Sequence, residues 1–175
     1  MFWKNVEIRI TAVAILLRQA EKNGVSNLAK SAYYRSATIL IGTIVEGMVY
    51  HLVKKYTEEK GHIIKKTKEL KKLHQIPNNV FQHEKDVFFI CKQIESNVHI
   101  DDDGVSFARL DDFLLKNKVI SKKEFEKLNY VRIERNKLHL QGLSIKDTGY
   151  TKTKFKKISE PMDFLTKKLS KYNEK

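Results

Sequence analysis

The chain has 175 residues, of which 41% are hydrophobic, so it is long enough for one domain with a sizeable core and is not largely disordered. Its formal net charge of +13, from 34 Lys and Arg against 21 Asp and Glu, indicates an anionic partner, with nucleic acid ahead of a membrane surface, although lysine is also a common solvating residue. The single cysteine, Cys91, excludes an internal disulfide framework, and its apolar context predicts a buried thiol in a reducing, intracellular setting.

Two helices are predicted before residue 60. The first covers residues 2–22, and Gly24 followed by Ser26 or Asn27 marks its end and the start of the next helix. Its apolar face comprises Val6, Ile10, Val13, Ile15, Leu16 and Leu17. The second helix, over 28–59, is apolar almost all round at its centre, which is typical of a core helix or a dimer helix. Because the apolar runs are short and interrupted by polar residues, we expect no membrane span, no cleaved targeting signal and a cytoplasmic protein.

A small β-hairpin is predicted next, over about residues 65–95. Two apolar patches flank a Pro-Asn-Asn turn at 77–79, and the stretch 87–90 is rich in β-prone residues. The acidic loop that follows, over 99–104, has a spacing typical of no metal-binding loop, and the histidines elsewhere lack zinc-ligand spacing. We therefore expect neither a metal nor another cofactor.

Helix-start chemistry predicts three more helices. Ser106 caps a short amphipathic helix, and Ser121 with Glu124 three residues later forms a capping box. The helix that begins there is expected to stop at Gly142. After a polar connection, Pro161 lies in the first turn of a last helix.

The helix that follows Ser121 places four polar side chains on one side: Arg132, Arg135, Asn136 and His139. An arginine binds phosphate with a planar fork and keeps its charge, and a histidine can give or take a proton near neutral pH. In RNA the 2′-hydroxyl already lies next to the scissile phosphate, so a proton carrier and a cation suffice without a metal. The alternative is structural, because Arg and His near a helix C-terminus stabilise the helix dipole without any function.

The segment "RIERNKLHLQG", residues 132–142, resembles the motif of HEPN domains, small all-helical domains whose active members cut RNA through an Arg, a polar residue and a His. Six residues separate Arg132 from His139, which fits the motif, whereas Arg135 is followed directly by Asn136 but leaves only three. The resemblance implies that His139 moves the proton and that Asn136 positions a neighbouring group. Arg132 and Arg135 are alternatives for the phosphate.

A second segment, "YYRSATILIGTIVEGMVYHLV" over 33–53, is similar to the long early helix of HEPN domains, which carries an Arg, small residues and a buried Glu. The resemblance matches Arg35 and Glu46 to those two positions, in supporting roles. A buried carboxylate needs a partner, so we expect Glu46 to pair with Arg132 or Arg135 and thereby orient that arginine.

A basic run over 152–157 offers a route for nucleic acid. With aromatic residues interleaved, it could follow an RNA backbone and stack a base, although such runs are usually solvated surface. The candidate RNA-binding residues are Tyr150, Lys152, Lys154, Lys156 and Lys157.

Residues and resemblance together predict that 1–175 forms one mainly α, HEPN-like helical bundle with a small inserted β-hairpin. The implied activity is metal-independent endonucleolytic cleavage of single-stranded RNA. The resemblance further implies a homodimer, a toxin or antiviral defence role, and a cognate antitoxin or regulatory protein as partner. The alternatives are a non-catalytic HEPN module that binds RNA, a nucleotide or a protein partner, and a helical scaffold whose charge serves solubility.

Overall fold

Helices dominate the structure, a computed structural model that describes residues 1–60, 65–75, 89–98, 105–140 and 149–173. In chain order its elements are α1 (Phe2–Ala20), α2 (Asn27–Lys60), β1 (Lys65–Gln75), β2 (Phe89–Val98), α3 (Phe107–Lys116), α4 (Lys122–Leu140), α5 (Lys152–Ser159) and α6 (Pro161–Asn173). The predicted mainly α class is confirmed.

The long helix α2 is the centre of the core, because α1, α3, α4, α5 and α6 all pack against it. Its most buried apolar side chains are Ile44, Val45, Met48, Val49, Leu52 and Val53. Neighbours on several sides explain why its sequence is apolar almost all round. By length and composition α2 could also cross a membrane, a test that buried core helices pass as well, and 56% of its most apolar window is buried within the protein.

Helix α1 packs on α2 along a narrow stripe of residues seven apart, Val6, Val13 and Ala20. Two residues predicted to lie on its buried face, Ile10 and Ile15, are instead 41% and 52% exposed. At about 100° per residue, Ile10 flanks this stripe and Ile15 lies on the opposite side of the helix. The prediction counted apolar residues without asking how much of α1 a single neighbouring helix covers.

Side chains cap the starts of α3 and α4 as predicted. The Ser106 Oγ accepts a hydrogen bond from the Arg109 N–H at 3.4 Å. At α4, the Ser121 N–H donates to Glu124 Oε2 at 2.7 Å, and the Glu124 N–H donates to Ser121 Oγ at 3.3 Å. This reciprocal pair is the predicted capping box. It fixes where α4 begins, and therefore which of its later residues face α2.

Strands β1 and β2 form an antiparallel hairpin, which confirms the predicted insertion and extends it to Val98. The register pairs Lys65 with Val98 at one end and Gln75 with Phe89 at the other. The turn predicted at 77–79 and the acidic loop that follows β2 lie outside the described residues.

The prediction of a buried thiol at Cys91 is wrong, because this residue is exposed on β2. The neighbouring side chains at 71–73 and 90–94 are exposed as well. In the described part of the chain, the strands pack mainly on each other rather than on the helices. The apolar run around Cys91 therefore reflects strand propensity and not burial in the core.

Helix α5 was not predicted, since 152–157 was interpreted as a polar, basic connection. Thr151 is its N-cap and accepts a hydrogen bond from the Lys154 N–H at 3.3 Å. Phe155 and Ile158, three residues apart, are buried where α5 packs on α2 and α4. That spacing was the available sign of a helix, and the surrounding lysines obscured it.

Candidate functional site

Charged side chains from three helices meet beside the core where α2, α3 and α4 pack together. They are Glu46 from α2, Asp111 from α3, and Arg132 and Arg135 from α4, and together they are called the arginine–carboxylate cluster. Both arginines that the sequence offers for phosphate binding belong to this cluster. It is therefore the candidate functional site.

Within the cluster, Arg135 forms an ion pair with Glu46. Its Nη2 lies 2.9 Å from Glu46 Oε2, and both side chains are partly exposed. The aliphatic part of Arg135 lies over Gly42, where a Cβ atom would come within 3.5 Å of the Arg135 Cδ. That distance is an ordinary van der Waals contact, so Arg135 lies along α2 at this point and reaches the carboxylate one helical turn later. The sequence had left the partner of Glu46 open between two arginines, and it is Arg135.

Arg132 is held differently, by a neighbour on its own helix. Its Nη2 donates to the Oδ1 of Asn129 at 2.5 Å, an i, i+3 contact. Its Nε is buried and has no hydrogen-bond partner among the described residues. The Arg132 side chain is half-buried, and no carboxylate among the described residues lies within salt-bridge distance of it. Sequence analysis missed Asn129, whose spacing from Arg132 was the available signal.

Asp111 is the member of the cluster that sequence analysis did not identify. Only 1% of its surface is exposed, and neither carboxylate oxygen has a hydrogen-bond partner among the described residues. Burial raises the pKa of Asp111 to about 8, against the attraction of Arg132, and the negative charges of Asp112 and Glu46 raise it further. The carboxyl is therefore largely protonated at neutral pH.

The cluster consequently carries about one net positive charge at pH 7. The charge of Arg135 is balanced by Glu46, whereas Asp111 is mostly neutral and leaves the charge of Arg132 in place. Arg132 is thus the better placed of the two to attract an anion. Sequence spacing could not separate the two arginines, because this distinction depends on residues from α2 and α3.

The other two residues of the predicted motif lie further along α4. Asn136 is exposed, one helical turn after Arg132. The backbone of α4 continues to Leu140, so His139 lies two turns after Arg132 on the same side of the helix. The side chain of His139 lies outside the described part of the structure.

Arg35, the second residue carried over for support, is half-buried on α2. It precedes Gly42 by two helical turns and Glu46 by three. Arg35 therefore lies on the side of α2 that carries Gly42 and Glu46.

A second charged group, centred on Glu134, connects α4 to α5 through Lys154 and includes Lys137 of α4 itself. Glu134 is buried, and its carboxylate lies 2.8 Å from Lys137 Nζ and 2.6 Å from Lys154 Nζ. Burial alone would raise the pKa of Glu134, but hydrogen bonds and charge from Lys137 and Lys154 outweigh it and the pKa is lowered. Glu134 therefore remains ionised and holds the two helices together.

The five predicted RNA-binding residues do not form one open strip. Lys152 lies 3.0 Å from Glu21, and Lys154 is occupied by Glu134 while its Nζ also lies 4.5 Å from the centre of the Tyr150 ring. Lys156 and Lys157 are exposed on α5. Lys152 is exposed as well, so Lys156 and Lys157 differ from it in having no ion pair with a described residue.

Within the described ranges, no group of three or more His, Cys, Asp or Glu side chains is placed to hold a metal ion. The acidic stretch 101–103 lies outside those ranges. Comparisons with protein-family models, with curated proteins and with solved structures found no match to this chain. The arginine–carboxylate cluster therefore remains the feature of this chain that points to a function.

Proposed function

We propose that the chain is a HEPN-like, metal-independent endoribonuclease that cuts single-stranded RNA through attack by the 2′-hydroxyl. The observation that carries the proposal is the electrostatic difference between the two arginines. Glu46 balances Arg135, whereas the carboxyl on which the charge of Arg132 acts, that of Asp111, is buried and largely neutral at pH 7. We assign the phosphate to Arg132, which also has the motif's spacing to His139.

In the proposed reaction the 2′ oxygen attacks phosphorus while the bond from phosphorus to the 5′ oxygen breaks. The products are a cyclic phosphate and a 5′-hydroxyl, so the proton lost by the 2′-hydroxyl is balanced by one gained at the 5′ oxygen. His139 carries one of these protons, and Arg132 stabilises the negative charge of the pentacoordinate phosphate. Asn136 positions either His139 or Arg132. The Arg135–Glu46 ion pair holds α4 against α2.

The proposal includes a homodimer. One histidine serves one of the two proton transfers at a time, so a second copy would supply the other across a two-fold axis. Exposed apolar side chains suited to such an interface are Leu28, on the side of α2 that carries Glu46, and Ile133 on α4. Light scattering that finds only monomer at high micromolar concentration would contradict this assembly.

The enzyme proposal is tested by cleavage of diverse single-stranded RNAs with purified protein. His139→Ala should lose about 10²–10⁴-fold in rate and keep its affinity for RNA, since general acid–base help is of that size. Arg132→Ala should lose both rate and affinity, whereas Arg135→Ala should act mainly on stability because it leaves Glu46 unpaired. EDTA should have no effect. Cleavage by His139→Ala at the wild-type rate would refute the enzyme proposal.

A second candidate is a non-catalytic HEPN module that binds RNA, and the Arg135–Glu46 pair favours it. In the motif an Asn commonly follows the active arginine directly, and here the arginine in that position is occupied by a carboxylate. A wild-type protein that binds RNA with steep salt dependence but cleaves no faster than His139→Ala would select this candidate. A toxin or antiviral defence role, with an antitoxin or regulatory protein as partner, would extend either proposal.

A further inference from the structure

The feature that the proposed reaction does not use is the buried carboxyl of Asp111. It lies on α3 between the apolar, buried residues Leu110, Phe113 and Leu114. An unpaired buried polar group destabilises the fold, so a core position of this kind normally carries an apolar side chain or a paired polar one. Asp111 has neither solvent nor a hydrogen-bond partner in the described part of the chain.

The donor that we match to Asp111 belongs to Arg132, because the Nε of Arg135, also buried without a described acceptor, is part of a guanidinium that is already paired with Glu46. The Nε of Arg132 is a buried donor without a described acceptor, and the two oxygens of Asp111 are buried acceptors without a described donor. Among the charges that act on Asp111, Arg132 is the one that favours its ionised form. Unsatisfied groups of opposite kind therefore occur on the two helices, α3 and α4, that pack against each other.

We propose that Asp111 is a positioning residue for Arg132. While Asp111 is protonated, Arg132 is available to an anionic ligand, and when Asp111 has lost its proton it binds Arg132 itself. The ionised carboxylate would accept hydrogen bonds from the guanidinium and balance its charge, as Glu46 does for Arg135. The anionic ligand of this inference is the RNA phosphate of the proposed function, on which it rests. The consequence is a site that accepts phosphate at neutral pH and closes at alkaline pH.

The surroundings of Asp111 determine the pH at which this exchange occurs. The charged groups that act on it are Glu46 from α2, Arg132 from α4 and Asp112 from its own helix. Burial together with the two carboxylates raises the pKa of Asp111 to about 8, even though Arg132 opposes the shift. Phosphate bound to Arg132 would add another negative charge nearby and favour the protonated form further, so ligand binding and proton retention reinforce each other.

The test compares RNA affinity across pH in a background that cannot use His139. With His139→Ala and a labelled single-stranded RNA, affinity should fall about tenfold or more between pH 7 and pH 9.5, as expected for the loss of one charge-assisted hydrogen bond. Asp111→Asn, a neutral mimic of the protonated acid, should remove this fall. Asp112→Asn removes a charge from an exposed neighbour that raises the pKa of Asp111, so the fall in affinity should remain and begin at a lower pH. Equal pH dependence with and without Asp111→Asn would overturn the inference.

A second measurement does not depend on RNA or on a variant that folds. The carbon resonances of the Asp111 carboxyl and the Arg132 guanidinium in wild-type protein should move together, with a midpoint near the pKa of about 8. If RNA binds at no pH while the two resonances move together, the RNA proposals fail and the pairing of Asp111 with Arg132 stands. If Asp111 is already ionised at pH 6.5, or if Arg132 does not respond to it, the inference is overturned whatever RNA does.

Discussion

Replacing Asp111 by asparagine should make the protein more stable at alkaline pH and change its stability little at acid pH. The substitution keeps the shape of the side chain and removes its ability to ionise. Burial raises the pKa of Asp111 to about 8 from an ordinary value of 3.8. The carboxyl therefore ionises much more readily in the unfolded chain than in the folded one.

The sign and size of the effect follow from this difference. Because the folded-state pKa is the higher one, the stability associated with Asp111 is complete below about pH 3.8 and is lost as the pH rises to about 8. At about 1.4 kcal/mol for each tenfold change, the loss has an upper limit of about 5–6 kcal/mol. Because the total free energy of unfolding of a protein is about 5–15 kcal/mol, that of the wild-type protein should be markedly lower at pH 9 than at pH 5.

Glu134 provides a matched comparison with the opposite sign. It is also buried, but Lys137 and Lys154 lower its pKa despite the effect of burial. Its contribution is present above the ordinary value of 4.5 and is lost as the pH falls through the lowered pKa. Glu134→Gln should therefore destabilise the protein at pH 7 and have less effect at pH 3.

Urea unfolding followed by circular dichroism between pH 3 and pH 9.5 measures both effects. The gain from Asp111→Asn should grow from near zero at pH 4 to a few kcal/mol at pH 9, because it removes the ionisation described above. Asp112→Asn, on the exposed side of the same helix, controls for the change in net charge. If Asp111→Asn gives the same change in unfolding free energy at every pH, Asp111 does not ionise with a raised pKa and the reasoning fails.

Three further substitutions test how the helices are held. Gly42→Ala should raise stability by about 0.5–1 kcal/mol through helix propensity, because the added Cβ would be in ordinary contact with Arg135, and a lower urea midpoint would contradict that contact. Ser121→Ala breaks the capping box of α4 and should lower the unfolding free energy by about 1 kcal/mol. An unchanged unfolding free energy would show that the cap does not stabilise α4. Leu128 is fully buried, so Leu128→Ala should leave a cavity and lower the unfolding free energy by about 2–5 kcal/mol. A loss of less than about 1 kcal/mol would show that the neighbouring side chains fill the space or that Leu128 is not part of the core.

The features that sequence could predict are those that depend on neighbours in the chain. The start of α4 follows from Ser121 and Glu124, three residues apart, and the central position of α2 follows from its continuous apolar stretch. Cys91 was misplaced because an apolar run does not reveal whether a strand has helices to pack against. The i, i+3 pair Phe155 and Ile158 lay within a lysine-rich stretch that resembles a solvated connection.

The candidate site was predicted in part, for a related reason. The two arginines and Glu46 were identified by their residue types, because charge inside an apolar helix is conspicuous in a sequence. Asp111 was not, since an aspartate beside a second aspartate near a helix start is ordinary surface chemistry. Its burial depends on how α3 rotates against α2 and α4, which local sequence does not determine. The choice between Arg132 and Arg135 depended on the same missing information.

The position of Asp111 also bears on why the cluster exists. A leucine there would continue the apolar face of α3 and avoid the cost of an unsatisfied carboxyl, so stability alone does not explain an aspartate. Departures from local consistency in folded proteins are expected where a residue has another task. The cation that acts on Asp111 is Arg132, and Arg132 is the arginine whose charge Glu46 does not balance. A leucine would leave that charge in place at every pH, whereas an acid with a pKa of about 8 leaves the charge available at neutral pH and balances it at alkaline pH. Control of phosphate binding by pH, rather than stability, is the task that an aspartate at this position fits.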